Sequence, residues 1–197
     1  MSATAPALPR LHATRDAVWL LSGLAVAALA RAAVNGHSSL TAFLAGGGFG
    51  IVLVAMGAAA GWRPSRPSGR SLLVGVLGGL VLIAMPRLLH PLMPSAIGMR
   101  PEPFLAWGLV TGLVVLGEEV LLRGALFDVV DRAAGAVPAV AVTSLAFALM
   151  HVPLYGWQVV PLDLGVGVWF AGLRLATGGV GAPVVAHLLA DLSTWWL

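Results

Sequence analysis

Three residue pairs recur at four-residue spacing within stretches that are otherwise apolar: Glu119 with Arg123, Phe147 with His151, and His187 with Asp191. Residues four apart lie on one face of a helix, so each pair can act as a unit. Glu118 stands beside Glu119 but about 100° further around the helix, and so does not share its geometry toward Arg123. A carboxylate beside a histidine can hold and deprotonate a water molecule, because both accept hydrogen bonds from it. A second histidine can donate to a carbonyl oxygen as it becomes an oxyanion. A Glu/His/His set such as Glu118, His151 and His187 can instead bind zinc and leave one position open for water. Both arrangements lead to hydrolysis of an amide.

These residues are costly where they stand. Hydrophobic residues make up 59% of the chain and charged residues 10%, with a mean hydropathy of +0.95. A soluble domain carries roughly 25% charged residues, so this chain belongs in a bilayer. A charge near the bilayer centre costs at least ~2.5–3.5 kcal/mol. Adjacent Glu118 and Glu119 therefore imply catalysis, ion passage or a buried charge pair. The absence of cysteine removes disulfides, thiolate metal sites and cysteine nucleophiles. Every basic residue is arginine, scattered singly or in short loops, so the pI near 11 does not mark a nucleic-acid surface.

The elements that must position the polar residues are membrane helices. A span needs about 20 mostly apolar residues, and seven segments approach this: 16–34, 40–62, 71–92, 103–128, 136–153, 159–177 and 180–197. The predicted fold is an all-α polytopic bundle of about seven transmembrane helices. Residues 1–15 read as a solvated tail, and 16–197 as one membrane-embedded domain with its polar motifs at 103–195. Turns are expected at 35–39, 63–70, 90–103, 128–135, 153–157 and 177–179. With the N-terminus in the cytoplasm, Arg10, Arg15, Arg63, Arg66, Arg70, Arg132 and Arg174 fall inside, and Arg31, Arg87 and Arg100 outside. That matches the accumulation of positive charge on cytoplasmic faces. On this scheme Glu118, His151 and His187 share one zone in the inner half of the membrane. The alanine- and arginine-rich, lysine-free composition suggests a GC-rich bacterium, hence a bacterial inner membrane.

Glycines spaced four apart, Gly46/Gly50, Gly57/Gly61, Gly75/Gly79 and Gly108/Gly112, predict close helix crossings. Trp19, Trp62, Trp157, Trp195 and Trp196 fall near span ends, as an interfacial belt would. His12, His37 and His90 fall in the tail or connections and read as solvated, and Asp163 reads as lying near a loop. Rival intramembrane chemistries leave different marks. No histidine precedes a glutamate, so the zinc-helix signature His-Glu-x-x-His is absent. Ser144 and Ser193 lack the Gly-x-Ser context of a serine nucleophile. A proton-coupled transporter would also bury such groups, but the span pattern has no inverted repeat.

The ordered set Glu118-Glu119-x-x-x-Arg123, Phe147-x-x-x-His151 and His187-x-x-x-Asp191 resembles the CPBP family, which comprises type II CAAX prenyl endopeptidases and bacterial Abi proteins. Leu121 and Gly124 complete the extended form Glu-Glu-x-Leu-x-Arg-Gly. The resemblance implies an intramembrane endopeptidase acting on a peptide or membrane-protein substrate, with no nucleic-acid partner. It implies that Glu118 activates water with His151, and that His187 stabilises the oxyanion with help from Asp191. Glu119 and Arg123 would orient the site, and Phe147 belongs to its motif. Asp191 stands where the family has Asn or Asp; ionised, it cannot donate to an oxyanion, and it could instead hold the His187 imidazole. The family is commonly called a metalloprotease, while a metal-free glutamate mechanism suits the same residues. The alternative is a non-catalytic immunity or partner-binding protein of the same fold.

Overall fold

The computed structural model describes residues 7–34, 39–89 and 103–196, with backbone alone for 7–11, 39 and 86–89. The expected connections at 35–38 and 90–102, with His37, His90 and Arg100, lie outside the described residues. Within them the chain is all-helical: α1 (Ala7–Val34), α2 (Ser39–Ala59), α3 (Gly69–Leu89), α4 (Phe104–Ala134), α5 (Ala136–Tyr155), α6 (Val160–Thr177) and α7 (Gly181–Ser193). A 3-10 turn, Trp157–Val159, leads into α6. Five stretches, in α1, α2, α4, α5 and α6 with its leading turn, are long and apolar enough to cross a membrane, and the described parts of α3 and α7 are shorter apolar helices. The chain is an integral membrane helix bundle.

The boundaries differ from expectation in three places. α1 begins at Ala7, so most of the expected tail is helical. Pro9 falls in its first turn, where backbone N–H groups have no intrahelical acceptor and a missing one costs little. α4 runs through the expected turn at 128–135, because Phe127, Val129 and Val130 are buried while Asp131 and Arg132 face outward. That amphipathic pattern keeps the last turns docked. Within α4, Val120–Leu126 is π-helical rather than α-helical. Such a segment re-aims the side chains around it and recurs at functional sites. It lies immediately after the paired glutamates and contains Arg123.

Two of the four glycine pairs make close crossings along their length. A Cβ on Gly50 would fall 2.6 Å from the Leu113 carbonyl oxygen, and one on Gly117 would fall 2.6 Å from that of Gly50. On α3, Gly75 and Gly79 press in the same way on Ala182 and Ala186 of α7. Gly108 and Gly112 have ordinary contacts, and Gly61 serves a turn at φ +87° after α2. Because the close atoms at Gly117 are backbone, they cannot rotate away. Gly117→Ala is expected to destabilise the bundle by about 1–3 kcal/mol through overpacking. Thermal unfolding in detergent checks this, and an unchanged midpoint would mean that α2 and α4 do not meet there.

The same contacts fix helix direction. Gly50 meets Leu113 and Gly57 meets Val120, so α2 and α4 run parallel, as do α3 and α7. Arg31 over Phe49 and Gly23 against Met56 make α1 and α2 antiparallel, and Ser144 against Gly167 with His151 beside Asp163 does so for α5 and α6. The bundle alternates in direction and has two distinct ends. One gathers the start of α1, the α2–α3 link, the α4–α5 junction and the α6–α7 turn. The other gathers the end of α1, the α5–α6 turn and the end of α7.

Candidate active site

Arg123 is the largest fully buried side chain and anchors the site. Its Nη1 donates to Glu119 Oε1 at 3.1 Å and its Nη2 to the Gly167 carbonyl oxygen at 3.1 Å. The guanidinium lies 4.7 Å from the Phe147 ring centre and 5.3 Å from that of Phe170. Aromatic faces attract a desolvated cation, so α5 and α6 help to hold a charge that α4 carries. Gly167 can receive it because α5 and α6 touch there: a Cβ on Gly167 would meet the Ser144 Cα at 2.9 Å.

Glu119 passes this anchorage to α7. The Nδ1–H of His187 donates to Glu119 Oε1 at 2.9 Å, so one carboxylate oxygen accepts from both Arg123 and His187. The His187 ring stacks on Phe170 at 4.6 Å and lies roughly perpendicular to Phe147 at 5.5 Å. With Nδ1 bonded to Glu119 and the ring stacked on Phe170, Nε2 is the end without a hydrogen bond among the described residues. It stands 3.8 Å from Glu118 Oε2 and 3.6 Å from Asp191 Oδ2. Glu119, not Asp191, makes the short bond to this imidazole.

Glu118 points elsewhere. It is 2% exposed and borders a cavity of about 380 Å³ together with Phe147, His151, His187 and Asp191. Its ionic neighbours, His187 at 3.8 Å and Arg31 at 4.0 Å, both exceed hydrogen-bond length. The two adjacent glutamates are therefore divided: Glu119 is fully buried, with Oε1 bonded to Arg123 and His187 and Oε2 unpartnered among the described residues, whereas Glu118 lines the cavity.

His151 is held by Nδ1, which lies 3.0 Å from the Phe147 carbonyl oxygen and 3.2 Å from Asp163 Oδ2. Both partners are acceptors, so Nδ1 carries the proton and the neutral ring keeps its lone pair on Nε2. Asp163 lies close to the α5–α6 connection, as expected, but it also faces the site. It sits in the first turn of α6 and lines the cavity, because the Trp157–Val159 turn folds α6 back against α5.

Arg31, Asp163, Phe170, Tyr155 and the Gly167 carbonyl are site components that the spacing argument missed. Arg31 reads in sequence as an outer flanking charge, but the end of α1 leans over the cavity and places it beside Glu118 and over Phe49 at 4.9 Å. An aspartate twelve residues beyond a histidine and across a turn has no helical periodicity to betray it. A phenylalanine in an apolar helix looks like core.

Among the described residues, no group of three or more His, Asp or Glu side chains is arranged to hold a metal ion. Nδ1 of His187 and Nδ1 of His151 each face a carboxylate, the support that a metal-bound histidine commonly has, and both rings keep Nε2 available, with Glu118 3.8 Å from that of His187. Glu118, His151 and His187 are nevertheless of the donor types that zinc takes, and they are the residues that would hold it, where it would polarise a water.

A membrane bundle with a carboxylate and two held imidazoles around one internal cavity has the composition of an intramembrane hydrolase site. Residues 100–193, the segment that carries the site, match the family described as Type II CAAX prenyl endopeptidase Rce1-like, a similarity that supports a protease of CAAX type. The helices before residue 100, including the one that brings Arg31, lie outside that match. No curated protein and no solved structure matches the chain.

Proposed function

We propose that the protein is an intramembrane endopeptidase that hydrolyses a peptide bond of a membrane-associated protein or peptide with a water activated by Glu118. The observation that carries this reading is Glu118 itself, buried at the wall of a cavity with no hydrogen bond from protein among the described residues. A buried carboxylate left without a protein donor calls for a donor in the cavity, and water is the smallest that fits.

The chemistry then follows from the held groups. Glu118 takes one proton from the water, and the lone pair on His151 Nε2 accepts the other hydrogen. The oxygen attacks the amide carbon and the carbonyl electrons move onto oxygen. His187, protonated on both nitrogens, donates from Nδ1 to Glu119 and from Nε2 to that oxyanion. On collapse the C–N bond breaks and Glu118 returns its proton to the leaving nitrogen. Asp191 keeps the cationic imidazole company, and Glu119 with Arg123 fixes its direction. Asp163 is the positioning residue for His151.

The test is turnover of internally quenched peptides, prenylated and unprenylated, by purified protein in liposomes. His151→Ala is expected to lose turnover by about 10²-fold or more. Asp163→Ala is expected to lower kcat by about 10²-fold, the scale for ~1 Å of misplacement, with KM little changed. Equal turnover by wild type and His151→Ala would overturn the assignment.

A further inference from the structure

Two arginines reach the site, and their circumstances differ. Arg123 gives Nη1 to Glu119 and Nη2 to the Gly167 carbonyl oxygen. Arg31, in the last turn of α1, has no hydrogen bond among the described residues. Its Nη1 stands 4.0 Å from Glu118 Oε1, its guanidinium carbon lies 4.9 Å from the Phe49 ring centre, and its side chain is 21% exposed. It is the single charged residue between Ala17 and Val34. A cation within a span is expensive and marks function when it faces an internal cavity, and this one lines the same cavity as Glu118. A helix C-terminus also favours a cation, but Arg31 leans across to α2 and α4 instead of capping its own helix.

Glu118, Asp163 and Asp191 also border the cavity, and Arg31 is the one arginine among the described residues that do. Asp163 is engaged with His151 at 3.2 Å, and Asp191 stands 3.6 Å from His187. With both imidazoles committed to the chemistry, a carboxylate entering the cavity finds unused donors at Arg31, whose five N–H groups form a rigid fork suited to it. We infer that Arg31 is a specificity-determining residue that pairs with a carboxylate of the substrate, close to the bond attacked. The 4.0 Å between Arg31 and Glu118 is little more than one residue of extended chain, so that carboxylate belongs within about three residues of the bond. An Asp or Glu side chain supplies this chemistry, and so does the free C-terminus of a peptide cut near its end. Arg31 lies outside residues 100–193, so the contact is one that the N-terminal helices add to the matched segment. The inference rests on the proteolytic reading.

The test offers purified protein in detergent a peptide library derived from a membrane proteome, in two forms: carboxylates free, and every carboxylate amidated. Mass spectrometry reads the cuts. Wild type is expected to cut the free library at least tenfold more efficiently, with a carboxylate within about three residues of each cut. The position of the cuts tells a side chain from a C-terminus as its source. The best-cut peptide is then made as the acid and as the neutral amide. Wild type should favour the acid by about 10–10²-fold in kcat/KM, the scale of a charged hydrogen bond. Arg31→Gln should bring that ratio near one, and Arg31→Lys should keep part of it. A role confined to holding α1 or to adjusting Glu118 would change turnover of acid and amide alike. An unchanged ratio in Arg31→Gln therefore overturns the inference, as does a wild-type ratio near one. Cutting of both libraries without preference defeats the inference and keeps the proteolytic reading, whereas no cutting of either defeats both.

Discussion

Glu118→Gln is expected to fold, insert and lose peptide hydrolysis by about 10²–10⁴-fold in kcat, the range that a positioned general base contributes. The substitution is nearly isosteric, so the cavity wall keeps its shape. What changes is the ability to take a proton. Structure should be little affected for a specific reason: among the described residues Glu118 has no hydrogen-bond partner, and its ionic neighbours stand at 3.8 and 4.0 Å. Removing its charge breaks no short contact and relieves the cost of holding a carboxylate away from water. The measurement is kcat on the same quenched peptides, with thermal unfolding in detergent alongside. Activity within threefold of wild type would remove Glu118 from the mechanism. A large fall in unfolding temperature together with lost activity would show a structural role in place of a catalytic one.

Arg123→Ala should behave in the opposite way, failing first in stability. Arg123 and Glu119 are both fully buried, and the arginine supplies Glu119 with one of its two hydrogen bonds. Deleting one partner of a buried pair leaves the other charge uncompensated and costs about 3–5 kcal/mol. The Gly167 carbonyl loses its donor as well, and Phe147 and Phe170 lose the cation between them. Activity falls with stability, because Glu119 is the group that fixes His187. Arg123→Lys should recover only part of the loss, since a single ammonium lacks the planar fork that spans Glu119 and Gly167. Unfolding midpoints of the three proteins check this order. A midpoint for Arg123→Ala equal to wild type would mean that the pair contributes nothing to the bundle.

The two variants separate roles that sequence spacing already suggested. Glu119 and Arg123 are one helical turn apart, and any helix through them brings them to one face; the 3.1 Å bond follows from that local geometry. The offset of Glu118 follows from the same rule. Local rules also located the seven helices, with the start of α1 and the end of α4 the largest misses, because apolar run length in a bilayer is a strong constraint. They failed where a local pattern had two readings. Asp128 to Gly135 looked like a turn because it is polar, yet it continues α4 with the polar side outward. The π-helical segment at Val120–Leu126 has no composition that announces it.

The chain's composition and the spacing of its polar residues dictated a membrane bundle, three paired motifs and the separation of the two glutamates, since each depends on residues within one helix. Tertiary packing alone decided that Glu119 bonds His187 across from α7, that Asp163 holds His151, and that Arg31 comes in from α1. Each of these joins residues on different helices. Their meeting depends on crossings set by Gly50, Gly75, Gly79, Gly117 and Gly167, where backbones touch and a single methyl would push the helices apart.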